Sequence, residues 1–181
     1  MSPGESIAVR WRVVAALGCA LVLHSACGGQ PVQDREAGTR ATVERWLTCE
    51  ECVAGERDSV RALGTAALPL LRAALQGPPD SVIANMTRSS VDAFARVRRQ
   101  FERLAPADRA LRPLADSTTF VTRNVQNFRG AYRARAAIAL NDIDPPGARA
   151  LFVEQLRSDS AGVRPLGPEL RRLLDSLARV P

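Results

Sequence analysis

The chain contains no lysine: all 25 of its basic residues are arginine. A Schiff-base mechanism and the lysine of a phosphate-binding loop are therefore excluded within it. Its single histidine, His24, lies in a segment that reads as removable. Once that segment is cut, no Ser-His-Asp or Cys-His nucleophile and no histidine-ligated metal can be assembled. Aromatic residues make up only 4% of the chain, and no stretch alternates apolar and polar residues as a half-buried strand does. Long apolar runs are missing as well. The one that stands out, Val13 to Leu23, is about half the roughly 20 residues a membrane-spanning helix needs.

What is present begins with an export signal. Arg10 and Arg12 precede the apolar run, and His24-Ser25-Ala26-Cys27 ends it with small residues. The expected organisation is a signal peptide over 1–26, a flexible tether over 27–38 and a helical domain over 39–181. Ser25-Ala26-Cys27 resembles the lipobox of bacterial lipoproteins, although His24 stands where that family has Leu. Cys19, after Ala16-Leu17-Gly18, fits less well because cleavage there would leave much of the apolar run behind. The resemblance implies acylation of Cys27 and a membrane partner through that anchor, in the bacterial envelope and facing the periplasm. Ordinary cleavage after Ala26, giving a freely secreted protein, is the alternative. Export removes Arg10, Arg12 and Glu5 and lowers the net charge of +6 by one. The use of Arg alone fits either the codon usage of a GC-rich genome or bidentate phosphate contacts. Outside the cytoplasm those phosphates belong to lipids, so no nucleic-acid partner is expected.

Ala, Leu and Arg dominate the remainder, which favours helix, and the fold class is all-α. A first helix is expected from Thr39 or Thr42, with Val43, Trp46, Leu47 and Val53 inward and Gly55 at its end. A short helix over 56–63 follows, and then Gly64-Thr65 breaks the chain. Leu68, Leu70, Leu71 and Leu75 mark the next helix, stopped by Gly77-Pro78-Pro79. Capped by Asp80 or Ser81, a long helix carries Ile83, Met86, Ser90, Phe94, Val97, Phe101 and Leu104 as one stripe. A second, capped by Asp116, Ser117 or Thr118, carries Val121, Val125, Phe128, Tyr132, Ala136, Ala139 and Ile143, with a bend expected at Gly130. An antiparallel hairpin buries both stripes. Asp144-Pro145-Pro146-Gly147 opens a helix with Ala150, Leu151, Val153 and Leu156 apolar. A loop from Ser158 to Gly167 leads to a last helix with Leu170, Leu173, Leu174 and Leu177 inward.

Val60 to Leu75 and Ala139 to Leu156 share an apolar helix end, a tight break and a second apolar helix. Leu63 corresponds to Ile143 and Leu71 to Leu151, each pair spaced by about twice the roughly 40-residue HEAT period. These segments, with Arg133-Ala134-Arg135-Ala136-Ala137-Ile138-Ala139-Leu140, resemble HEAT repeats over about half the mature chain, while the middle helices are longer than HEAT helices. The resemblance implies short antiparallel helical repeats forming a non-catalytic surface that holds a protein partner. An irregular helical bundle is the alternative.

Cys49-Glu50-Glu51-Cys52 is the chain's one reactive constellation. Val53 stands where haem attachment requires His, and no second ligand pair completes a zinc site. A disulfide between Cys49 and Cys52, a pair of free thiols, and redox or metal chemistry remain open; Glu50 and Glu51 oppose thiolate formation. The close carboxylates Asp142 and Asp144 fit helix capping better than acid–base catalysis. Neither a cofactor nor a catalytic residue is expected. The leading expectation is an adaptor whose partner surface includes Arg96, Arg99, Arg103, Arg123 and Arg129. A thiol–disulfide protein and a structural envelope protein without a specific partner are its rivals.

Overall fold

The computed structural model describes residues 32–49, 51, 54–111, 114–162 and 166–179. Among them every regular element is helical: α1 (Val32–Thr48), α2 (Ala54–Ala62), a 3-10 turn (Gly64–Ala67), α3 (Leu68–Gln76), α4 (Asp80–Glu102), α5 (Pro106–Leu111), α6 (Ser117–Ile143), α7 (Pro145–Ser160) and α8 (Pro168–Arg179). The all-α class is thus observed. The signal segment, Cys27, Glu50, Cys52 and Val53 lie outside the described residues. Among those described, no helix is long and apolar enough to cross a membrane. The main compact unit comprises Thr39–Pro181.

Several boundaries differ from expectation for identifiable reasons. Helix α1 starts at Val32, not at Thr39 or Thr42, so helix reaches into the stretch expected as a tether. Asp34 in the first turn favours this start through the helix dipole, and Gly38 costs about 1 kcal/mol without breaking the helix. The same helix stops at Thr48, whose hydroxyl donates back to the Glu44 carbonyl at 2.8 Å. Gly55 therefore falls in the first turn of α2. Gly77 does terminate α3, at φ 137°, a backbone conformation open to glycine. Neither Asp80 nor Ser81 caps α4. Pro79 occupies that position, and its carbonyl accepts the N–H groups of Val82 and Ile83 at 3.0 and 3.1 Å.

Asp116 caps α6 as expected, its carboxylate accepting from Thr119 N–H at 2.9 Å and the Thr119 hydroxyl at 2.6 Å. These bonds, the hydroxyl's first, hold the Asp116 pKa below its ordinary value. Asp144 serves two helices. Its N–H donates to Leu140 O at 2.9 Å and ends α6, while its carboxylate accepts from Gly147 N–H at 3.1 Å and opens α7. A Cβ on residue 147 would collide with that carboxylate, so the cap requires glycine.

The core surrounds the C-terminal half of α6. Tyr132, Ala136, Ala137, Ala139 and Leu140 are buried there, and α2, α3, α7 and α8 pack against this helix. Alanines let the neighbours come close, and Leu71, Leu75, Phe152 and Leu174 fill the space fully buried. Trp46 Nε1 donates to Arg135 O at 3.1 Å, and Arg135 Nη1 returns a bond to Leu47 O at 3.0 Å, stapling α1 to α6.

The expected apolar side of α7 is corrected. Ala150 is exposed and Leu151, Val153 and Leu156 are half-buried, whereas Ala148, Phe152, Gln155 and Asp159 face inward. Phe152, not Leu151, therefore takes the fully buried position corresponding to Leu71. Gln155 is buried because Arg133 donates to its oxygen at 3.1 Å and its own amide reaches Gln76 Oε1 at 3.4 Å. Asp159 accepts from Leu166 N–H at 2.6 Å and pairs with Arg171, and α7 accordingly runs on through Ser158 to Ser160.

Helix α4 packs on α6 in an antiparallel hairpin: Met86 shares a cleft with Phe128, while Phe94 lies 5.4 Å from Phe120 between ring centroids. The hairpin expectation thus holds, but not its depth. Ser90 is the sole buried residue of α4, Leu104 is 41% exposed, and no residue of α6 before Tyr132 is buried. Helix α6 continues through Gly130 as one 27-residue element.

Candidate functional site

The distal half of the hairpin, formed by α4, α5 and the start of α6, is an arm whose apolar seam is covered, among the described residues, by two long helices. Phe94, Val97, Phe101, Phe120, Val121 and Val125 are all half-buried, and Val91 is 52% exposed. Arg96 and Arg99 lie on α4 and Arg103 caps its C-terminal end; Arg123 and Arg129 lie on α6. All five are exposed, and none forms an ion pair with another described residue. By contrast, Arg98 is tied to Glu102 at 2.8 Å. The arm therefore offers uncommitted guanidinium groups beside an apolar ridge, an arrangement suited to an anionic surface with apolar relief.

Cys49 lies just beyond the end of α1 and is disulfide-bonded. Leaving the helix removes the geometric objection to a bridge in an uninterrupted helix. Cys52 lies outside the described residues. The Cys49 sulfur rests 3.0 Å from Trp46 O, a contact without a proton to share in the bridged form.

Asp142 and Asp144 are committed to structure. Asp142 accepts both Arg57 Nε and Nη2, at 2.6 and 2.7 Å, and these bonds raise the Arg57 pKa. Asp144 caps α7 and lies 3.6 Å from Arg72. Burial lowers the Arg135 pKa, partly offset by Glu56, and the reciprocal bonds with α1 explain why this cation is retained. Among the described residues no group of three His, Cys, Asp or Glu side chains converges as a metal site would require.

One feature the sequence reading missed lies where α3 ends and α8 begins. Two clefts of about 540 and 620 Å³ flank α6 and share Gln126, Gly130, Gly167 and Leu170. Gln76, Arg129 and Arg133 line the first, whereas Ala131, Ala134 and Leu173 line the second beside Asn127 and Glu169. Arg133 Nε donates to Leu75 O at 2.9 Å while its Nη2 reaches Gln155, which holds the guanidinium at the floor. Gly130 is the shared saddle. As a glycine inside a helix it sacrifices about 0.5–1 kcal/mol relative to alanine. Its φ is not positive, and a Cβ there would meet nothing within 4 Å. The only signal in the sequence was this glycine inside the stripe, which read as a bend.

No protein-family model, curated protein or solved structure matches this chain.

Proposed function

We propose that this protein is a non-catalytic helical adaptor of HEAT-like construction, exported by its N-terminal signal and tethered to the bacterial envelope through acylated Cys27. It holds an acidic partner protein on the hairpin arm. The observation that carries this reading is the arm itself, where five exposed arginines, none in an ion pair among the described residues, adjoin a half-covered apolar seam. The HEAT-like part is supported by the packing of α6 with α7 across the tight break at Asp144, and of α2 and α3 each against α6. Short stacks of this kind present faces for binding.

A photo-crosslinker placed at Arg99 or Arg103 in the native envelope tests the adaptor. A discrete adduct is expected, absent from a control site at Arg45 and lost when Arg96, Arg99, Arg103, Arg123 and Arg129 are all changed to Glu with helix content unchanged. Capture that persists in the Glu variant would refute the arm as the docking surface. Labelled palmitate tests the tether, and an unlabelled mature protein would exclude acylation.

The disulfide at Cys49 favours one second reading, a thiol–disulfide protein using Cys49 and Cys52. Changing both to Ser separates the two. Unchanged crosslinking supports the adaptor, and selective loss of a reductase or electron-transfer activity supports the rival.

A further inference from the structure

We infer that the paired clefts along α6 form a binding site for a single-chain amphiphile with an anionic head. Three observations converge on this assignment. Positive charge is confined to one end of the groove: Arg129 and Arg133 line the first cleft, while the second has no arginine and is lined by Ala131, Ala134 and Leu173 beside Asn127 and Glu169. Each cleft falls in the size range of small-molecule sites, roughly 300–1,000 Å³. Gly130 joins them, and neither its backbone angle nor any neighbour within 4 Å requires glycine. What the missing side chain preserves is a continuous path between the two ends.

The arginine-bearing end can meet a head group at Arg129, which is exposed and enters no ion pair among the described residues, with the Gln126 amide on the adjacent turn. Arg133 adds positive potential from a fixed place, since its bonds to Leu75 O and Gln155 hold it. The tail then crosses Gly130 and lies along Ala131 and Ala134 against Leu170 and Leu173. Glu169 borders the second cleft and disfavours the reverse orientation, in which the anion would lie beside a carboxylate. A carboxylate head, as in a fatty acid, and a phosphate head, as in a monoacyl phospholipid, share this chemistry.

Titrating the full mature protein with dodecanoate and, separately, with monoacyl phosphatidylglycerol, both below their micelle concentrations, tests the inference and distinguishes the heads. Saturable one-to-one binding of either is expected, with dodecyltrimethylammonium binding at least about tenfold more weakly. Gly130→Trp is expected to melt no lower than the parent, because the helix gains a side chain in open space, yet to weaken binding about tenfold or more. Arg129→Gln should weaken binding of both anions and leave the cationic control unchanged. Equal binding of the cationic amphiphile, no binding of either anion, or full affinity in Gly130→Trp would each overturn the assignment. So would a peptide that occupies the groove where both anions fail. The arm arginines other than Arg129 do not enter this test, so its failure leaves the adaptor reading standing.

Discussion

The two halves of α6 belong to the same helix and yet live under different rules. From Tyr132 onward it is surrounded: α2, α3, α7 and α8 close on it, and alanines suffice to bury the surface. Before Tyr132 its long partner is α4, and even phenylalanines remain half in water. Burial follows from how many elements converge on a segment more than from how apolar it is. Local stability should therefore be high in the body and low in the arm, since local opening is easiest where few apolar contacts are lost.

The sharpest way to break this contrast is to truncate one phenylalanine in each region. Phe152→Ala in the body should destabilise by about 3–5 kcal/mol, the range for a fully buried aromatic. Phe101→Ala in the arm should cost roughly half that or less, in proportion to the area it buries. Equal losses by denaturant unfolding would erase the distinction. Gly147→Ala, which drives a Cβ into the Asp144 carboxylate and removes the α7 cap, is expected to cost about 1–2 kcal/mol. In the arm the opposite sign is expected from Ser90→Ala. The Ser90 hydroxyl is buried without a hydrogen-bond partner among the described residues, so its removal should raise stability by about 1 kcal/mol; a loss would mean that the hydroxyl is satisfied in solution.

A titration sharpens the comparison from the body's side. Burial, and secondarily Glu44, raise the Tyr132 pKa above its ordinary value of 10.0. The folded state thus holds this proton longer than the unfolded chain. The resulting stability is fully present below pH 10 and is lost as pH rises through the folded value. Stability measured against pH should decline past 10 in the parent, and Tyr132→Phe should flatten the decline. Smallest of all should be Arg57→Gln. The Arg57 side chain is 50% exposed and that of Asp142 17%, so loss of their pair should cost no more than about 1 kcal/mol and less in high salt.

The helices and most of their breaks could be read from residue spacing, because Gly77-Pro78-Pro79 and Asp144-Pro145-Pro146-Gly147 act locally. Depth of burial could not. The stripe through Phe94 and Phe101 looks more like a core than Ala136 and Ala139 do, and only the tertiary arrangement reverses that order. The inward side of α7 could not be read for a related reason: Gln155 and Asp159 are polar and become buried because Arg133, Gln76, Leu166 and Arg171 satisfy them from distant positions. Of the candidate site, the arginines and Cys49 could be named in advance. The groove could not, since it is made where three separated segments meet.

The staple between α1 and α6 acquires a mechanical meaning once the chain is pulled from its N-terminal side. Tension arriving at Thr39 reaches buried Val43, Trp46 and Leu47 and the two crossed bonds to Arg135. The load passes directly into the most deeply packed stretch of α6. A protein loaded in this way is expected to have a strain relief at its entry point, where the bonds between α1 and α6 yield first. Trp46→Phe, which keeps the ring and deletes the bond, should lower the force at which α1 detaches in single-molecule pulling and leave the unfolding force of the remaining body unchanged.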